Sequence, residues 1–250
     1  MGDETSKRSP LILSIRGVRD LMRAPREGNG LECVSRVHVD DAQAPEILAK
    51  GLWGFLGPRL HPFQAPLLIL CIGTDRSTGD CLGPLVGSKL SALGALPPAV
   101  RVFGTLDEPV HAGNLDDSLQ MLQREHKRAY VLALDACLGK CENVGYVTIK
   151  DGPLKPGTGV NKNLAEVGAS HIVGVVNVGG FMEYFVLQNT RLSLVMRMAD
   201  VIGNGLAQML SLYWESFHPY LSGEKESVSP ADLSTTSGWA ATHAAPSSGD

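Results

Sequence analysis

Short runs of consecutive apolar residues constrain the fold of this sequence more than any other feature. Leu67–Ile72 is such a run, and it ends in a glycine-rich loop from Gly73 to Asp80. Runs of this kind are typical of strands that are covered on both faces. After the loop, apolar residues recur at helical spacing from Leu82 to Leu93. A strand, a glycine-rich loop and a helix in this order indicate an α/β fold.

The same alternation of apolar runs and helical periodicity continues along the chain. His171–Val176 fits either another strand or the start of a helix. In the last predicted helix, Gly203 and Gly205 indicate either a kink or a close contact with a neighbouring element. The other predicted elements are strands at Val100–Phe103, Tyr130–Leu134 and Val144–Ile149, and helices at Asn114–His126, Phe181–Gln188 and Leu192–Trp214.

The composition divides the chain into three parts. Of its 250 residues, 44% are hydrophobic and 19% are charged, which is typical of a globular protein. Residues 33–220 are predicted to form a single α/β domain. Residues 1–32 are predicted to be a poorly ordered arm, because positions 16–29 are mostly charged or glycine. Residues 221–250 are rich in Ser, Thr, Ala, Gly and Pro and are predicted to be a disordered tail.

Charge and cysteine content argue against several classes of protein. Lys and Arg number 22 and Asp and Glu number 26, so the net charge of −4 gives no field that would hold nucleic acid or an acidic membrane. No apolar run approaches the roughly 18 residues of a membrane span, and no secretory signal is evident, so we expect a cytoplasmic protein. Five cysteines, an odd number, indicate reduced thiols rather than a disulfide framework.

Two aspartates follow predicted buried strands, although they are 55 residues apart in sequence. Asp80 ends the glycine-rich loop, and Asp135 comes directly after Tyr130–Leu134. Ligands of open α/β sheets bind beyond the carboxyl ends of the strands, so both side chains are candidates for one cleft. A close pair of carboxyls suits acid–base hydrolysis, because one stays protonated while the other ionises. The alternative is that both acids cap free backbone N–H groups. The loop has no Gly-Lys-Ser/Thr ending, so a nucleotide site is not expected.

Further polar residues lie in loops of the same predicted sheet. Asp75 is a candidate for substrate contact or for a surface pair with the next residue, Arg76. His111 is a candidate for orienting a carboxylate, sharing a metal or acting as a base, and the alternative is a solvated side chain. Asn177 and Glu183 offer amide and carboxylate groups near a later turn. His171 lies beside an apolar run and is expected to pack rather than to bind a ligand.

Several motifs together resemble the YyaC-type sporulation proteins. That family is similar to the germination protease that degrades small acid-soluble spore proteins and, more distantly, to the hydrogenase-maturation endopeptidases. The resemblance implies a three-layer α/β/α sandwich with a largely parallel sheet, of the phosphorylase/hydrolase-like type found in the maturation proteases. The segments that carry it are Cys71–Gly87, Pro109–Leu115, Leu134–Gly139, Val176–Glu183 and Gln188–Leu192.

The resemblance also implies a function. The catalytic aspartates of the germination protease fall, by motif, on Asp80 and Asp135. The chain is therefore expected to be a sporulation-associated peptidase with a protein or peptide substrate, in the cytoplasm of a mother cell or forespore. The metal-binding histidine of the maturation endopeptidases is not assigned to either His111 or His171, so no cofactor is expected and a divalent metal is possible but not supported. The alternatives are a non-catalytic binding protein and a metal-dependent hydrolase that uses both acids and a histidine. A homodimer is expected if the terminal helices expose an apolar face.

Overall fold

A computed structural model describes residues 33–60, 66–94, 96–157 and 164–221 of the chain. The arm predicted at 1–32 and almost all of the tail predicted at 221–250 lie outside the described residues.

A six-stranded sheet forms the centre of the molecule, with the strand order β1-β5-β6-β4-β2-β3. Its parallel part consists of β3, β2, β4 and β6, and β5 runs antiparallel to both of its neighbours, β6 and β1. The sheet is therefore largely parallel, as expected. The strands are β1 (Cys33–His38), β2 (Leu67–Cys71), β3 (Val100–Phe103), β4 (Tyr130–Gly139), β5 (Tyr146–Asp151) and β6 (Ser170–Val178).

Helices cover both faces of the sheet and complete a three-layer α/β/α sandwich, which confirms the predicted fold class. Side chains of α1, α2 and α5 pack in one apolar cluster with Leu67, Ile69 and Cys71 of β2. Leu115 and Leu122 of α3 pack in a second cluster with the intervening side chains of the same strand. The helices are α1 (Ala44–Leu56), α2 (Leu82–Ser91), α3 (Leu115–Glu125), α4 (Glu183–Gln188) and α5 (Leu192–Leu221).

The predicted elements are present, with differences at their ends. The ambiguous segment His171–Val176 is a strand and lies within β6. The strand predicted to end at Leu134 continues to Gly139, because β6 pairs with it as far as Val178. Asp135 therefore lies inside a strand rather than directly after one. Neither β1 nor α1 was predicted from the sequence.

The glycines of α5 mark a close contact rather than a break, since the helix is continuous through both. A Cβ added at Gly205 would lie 2.8 Å from Leu48 Cδ2 and 3.1 Å from Leu48 Cβ, both on α1. The two helices can approach this closely because no side chain stands between them. Among the helices of the described ranges, none combines the length and apolar character needed to cross a membrane.

Candidate active site

A cleft with a volume of about 480 Å³ begins at the end of β4 and extends across β6 to β5. Its walls combine acidic, basic and apolar side chains, and no residue of α3 lines it. The lining residues are Asp80, Asp135, Ala136, Cys137, Leu138, Lys150, Leu154, Lys155, Gly157, His171, Val173, Glu183 and Leu187.

Asp135 reaches the cleft because β4 continues beyond its apolar run. Its backbone pairs in parallel with Val173 of β6, so these two side chains point to the same face of the sheet. Asp135 Oδ1 accepts a hydrogen bond of 2.8 Å from the N–H of Ala136, which fixes one carboxyl oxygen. No other described residue donates a hydrogen bond to this carboxyl, so its second oxygen is left for a proton or a ligand.

Asp80 comes from the glycine-rich loop after β2, which folds back on itself. The N–H of Thr74 donates to the carbonyl oxygen of Asp80 over 3.1 Å and closes the loop. Gly73 has a φ of +150°, and a Cβ at this position would run into the backbone carbonyl of Asp80. Only glycine allows this close approach, so Gly73 helps to set the position of Asp80.

The two carboxyls share one electrostatic environment. Burial raises the pKa of Asp135 well above its usual range, the N–H of Ala136 counteracts this, and the charge of Asp80 adds to the rise. Burial also raises the pKa of Asp80, against the opposing effect of Ser77. Two neighbouring acids with raised pKa values hold a proton between them more readily than isolated aspartates do.

Ser77 stands next to this pair. Its side chain is buried and lowers the pKa of Asp80 through hydrogen bonding. The geometry falls short of a regular hydrogen bond, however, because Ser77 Oγ is the one buried side-chain oxygen or nitrogen of the described residues that has no partner. Ser77 therefore supports the Asp80 carboxyl only weakly.

Of the four other predicted site residues, Glu183 lines the cleft. Its Oε1 accepts a hydrogen bond of 3.0 Å from the N–H of Gly180, which ties the carboxyl to the loop before α4. Asn177 does not line the cleft. Its Nδ2 donates to Thr190 Oγ1 over 3.2 Å, and its Oδ1 accepts from the N–H of Val178, so it holds α4 and the residues after it against β6.

Asp75 and His111 also lie outside the cleft lining. Asp75 is exposed and accepts a weak hydrogen bond of 3.5 Å from the hydroxyl of Thr74. His111 Nδ1 accepts from the N–H of Gly113 over 3.1 Å, within its own turn. Both side chains have local partners that explain their positions, and neither adds a group to the carboxyl pair.

Several residues of the cleft, among them His171, Cys137 and Lys150, were not predicted as site residues. His171 is buried, as expected of a packing residue, but it also lines the cleft, and its Nδ1 donates to the carbonyl oxygen of Gly152 over 2.8 Å. Burial lowers the pKa of His171, so the ring is neutral at neutral pH. Cys137 and Lys150 complete this group, and burial raises the pKa of the Cys137 thiol to about 11. Because side chains alternate along β5, Lys150 and the buried Ile149 point to opposite faces of the sheet. No sequence pattern predicts that the face of Lys150 lines this cleft.

Comparisons with known proteins identify a family that matches this chain. A family model described as "Protein of unknown function (DUF1256)" matches residues 36–205. The "Uncharacterized protein YyaC" of Bacillus subtilis (strain 168) is 58% identical over 142 residues, which cover 57% of this chain and 68% of that protein. These matches confirm the resemblance to the YyaC-type family.

A solved structure gives a weaker likeness. The [NiFe] hydrogenase maturation protease HycI from Thermococcus kodakarensis KOD1 is 16% identical and aligns with a TM-score of 0.39. The alignment covers 62% of this chain and 99% of the other. A likeness of this degree carries no argument about the site.

Proposed function

We propose that the chain, which belongs to the DUF1256 family, is a peptidase that hydrolyses peptide bonds with Asp80 and Asp135. The observation that supports this most is the pair of carboxyls in one open cleft, where burial raises the pKa of both and that of Asp135 more strongly. Strongly shifted pKa values in a cleft are typical of catalytic acids and bases. The association with sporulation and the cytoplasmic location belong to the same proposal and rest on the family resemblance.

The unequal environments of the two acids suggest their roles. Asp135, the more strongly shifted, carries the shared proton and donates it to the nitrogen of the scissile amide. Asp80, in its ionised form, takes a proton from a water molecule whose oxygen attacks the carbonyl carbon. The C–N bond then breaks and releases an amine and a carboxylic acid. Return of a proton from Asp80 to Asp135 restores the starting state.

One alternative to this peptidase is a metal-dependent hydrolase that uses both acids and a histidine. The side chains of the described residues bring no three of His, Cys, Asp and Glu together as such a site requires. His171 directs its Nδ1 to a backbone carbonyl, and His111 lies outside the cleft. These contacts support a mechanism that uses the carboxyls of the chain alone.

The test compares products made by the wild-type chain and by variants from a panel of spore-coat and spore-core proteins, identified by mass spectrometry. Asp80→Asn and Asp135→Asn are each expected to lower cleavage by about 100-fold or more, because each removes one proton-transfer group. Asp107→Asn is the matched control, since Asp107 is exposed and outside the cleft lining.

The outcomes separate the alternatives. Identical products from the wild type and from the double variant would overturn the proposal. If the wild type cuts nothing while it remains folded, a binding protein on the same fold becomes the better explanation. Cleavage that stops with a chelator and returns with one divalent metal would instead favour the metal-dependent hydrolase.

A further inference from the structure

Charge is divided unequally along the cleft. Asp80 and Asp135 lie at the end near β2 and β4, whereas Lys150 and Lys155 lie on the side of β5 and the segment that follows it. Glu183 is the third acid of the lining, and its carboxyl is tied to the N–H of Gly180. The cleft therefore has an acidic end, where the proposed chemistry takes place, and a basic end.

The strand register fixes the spacing between these ends. Lys150 pairs with His171 of β6, and His171 pairs with Ala133 of β4, two residues before Asp135. These side chains share one face of the sheet, because paired residues point to the same side. Strands lie about 4.8 Å apart and rise about 3.3 Å per residue, so the Cα atoms of Lys150 and Asp135 are about 12 Å apart. An extended peptide spans that distance with about three to four residues.

Lys150 has no charged partner within the described part of the chain. The other lysine of the cleft differs, since Lys155 Nζ lies 3.1 Å from Glu166 Oε1. The sequence between Gly157 and Leu164 contains no acidic residue. The half-buried Lys150 is thus a cation in the cleft with no described ion-pair partner. An anionic ligand that enters beside it would form a favourable charge-assisted hydrogen bond with it.

Lys150 lines the cleft, and its described neighbours there do not compensate its charge. Its charge lowers the pKa of both Cys137 and His171, so it lies within electrostatic range of both. Neither of these groups is an anion at neutral pH. His171 Nδ1 donates to Gly152, which leaves Nε2 as the ring nitrogen able to accept an N–H from a ligand.

We propose that Lys150 binds a carboxylate of the substrate, three to four residues from the bond that Asp80 and Asp135 cut. This inference rests on the proposed peptidase function, because the distance is measured from that pair. It makes Lys150 a specificity-determining residue, and peptides with a carboxylate at that spacing the preferred substrate class. The carboxylate belongs either to a Glu or Asp side chain or to the C-terminus of the peptide, and the experiment below distinguishes these sources.

The experiment measures binding without cleavage, in the full-length chain with Asp80→Asn and Asp135→Asn. The probes are four pools of acetylated eight-residue peptides, random among uncharged residues except at one position that is Glu or Gln, and ending in a carboxylate or a carboxamide. Peptides retained by the immobilised protein are counted by mass spectrometry. We expect one of two replacements, Glu by Gln or the carboxylate by the carboxamide, to lower retention about tenfold. That is the effect of losing one charge-assisted hydrogen bond.

Variants at Lys150 assign that preference. Lys150→Gln is expected to abolish it, and Lys150→Arg is expected to keep it, since arginine retains the charge. Lys127→Gln, which removes an exposed lysine outside the cleft lining, makes the same change in net charge and is expected to leave the preference intact. A preference for Glu over Gln assigns the carboxylate to a side chain, and a preference for the free acid over the carboxamide assigns it to the C-terminus.

The outcomes distinguish failure of the carboxylate site from failure of the peptidase proposal. Equal retention of the acidic and uncharged pools, a preference that survives Lys150→Gln, or no retention of any pool overturns the inference. If the preference depends on Lys150 but the wild type cuts no protein, the carboxylate site stands and the peptidase proposal fails. If the wild type cuts proteins with no preference for acidic segments or for bonds near a C-terminus, the peptidase stands and the carboxylate site fails.

Discussion

Asp135 lies where an ionised carboxyl is destabilising. Burial is the main cause, and the charge of Asp80 adds to it, while the N–H of Ala136 offers partial compensation. An asparagine would keep the shape of the side chain and the acceptor for that N–H, without the charge. An acid retained at such a position is typical of functional sites, where activity is favoured over stability.

Asp135→Asn is therefore expected to make the folded protein more stable as the pH rises. Because the pKa of Asp135 is raised in the folded state, the wild type has its full stability at low pH and loses some as pH rises from the ordinary aspartate range towards the folded-state pKa. The variant has no such loss. We expect little difference near pH 4 and a gain in the free energy of unfolding of about 1–2 kcal/mol at pH 7, measured by urea unfolding.

The same measurement tests the capping alternative. If Asp135 were a structural cap, its replacement would lower stability at pH 7 rather than raise it. Asp107→Asn, at an exposed position, is expected to change the free energy of unfolding by less than about 0.5 kcal/mol.

At the scale of elements, apolar runs predicted where strands begin better than where they end. The predicted strand at Val100–Phe103 coincides with β3, and the run from Leu67 matches β2 to within one residue. The strand from Tyr130 continues for five residues beyond Leu134, because backbone pairing with β6 does not require apolar side chains. The end of β4 depends on a partner strand about 40 residues away, which no local pattern identifies.

Helix capping also depends on contacts that the local sequence does not reveal. Asn114 occupies the position before α3, but its side chain makes no capping hydrogen bond to the helix. Its Oδ1 accepts from the N–H of His111 over 2.8 Å, and its Nδ2 donates to the carbonyl oxygen of Pro109. The residue type indicates a helix start, while the choice of partner depends on how the preceding turn folds.

The contact between α1 and α5 can be tested with two glycines of one helix. A Cβ at Gly205 would press on Leu48 and lie 3.1 Å from the backbone oxygen of Pro45, whereas a Cβ at Gly203 would meet Lys89 at ordinary distances of 3.5–3.6 Å. Gly205→Ala is expected to lower the free energy of unfolding by about 1–2 kcal/mol through overpacking. Gly203→Ala is expected to raise it by about 0.5–1 kcal/mol, since alanine favours the helix.

Urea unfolding of both variants provides the measurement. The comparison is internally controlled, because the two positions lie two residues apart in the same buried stretch of helix. Equal effects of the two substitutions would contradict the close contact and would indicate that α1 and α5 adjust freely.

At the scale of the whole molecule, the sheet assembles a site that the sequence predicts only in part. The rule that ligands bind beyond strand ends predicted one cleft for Asp80 and Asp135 across 55 residues, and both line it although Asp135 lies inside β4. It did not separate them from Asp75 and His111, which follow β2 and β3 but belong to turns that direct their side chains elsewhere. Lys150 could not be predicted, because its place depends on the register of an antiparallel strand, and a shift by one residue would turn it to the other face.

The exposed apolar residues are also a property of the whole surface. Several lie close together in sequence around α4 and the start of α5: Phe181, Met182, Tyr184, Phe185 and Leu192. A homodimer was expected if the terminal helices expose an apolar face. The homodimer itself remains a prediction.

The two apolar clusters are expected to unfold together. They pack on opposite faces of the same strand, β2, so neither face can be exposed without disrupting the other. Cys71 lies at the end of this strand and is fully buried, and burial raises the pKa of its thiol to about 12. Its reaction with iodoacetamide therefore reports opening of the sheet, whereas the exposed Cys141 reacts in the folded protein.

Pulse alkylation at increasing urea, followed by peptide mass spectrometry, gives the unfolding midpoint at Cys71. Trp53, which packs against Phe217 of α5, gives the midpoint of the helical layer by fluorescence in a chain with Trp214→Phe and Trp239→Phe. We expect the two midpoints to coincide, because the helices and the sheet share one cluster of buried side chains. A Trp53 transition at lower urea than the labelling of Cys71 would show that α1 and α5 separate from the sheet before it opens, and cooperative unfolding would then be wrong.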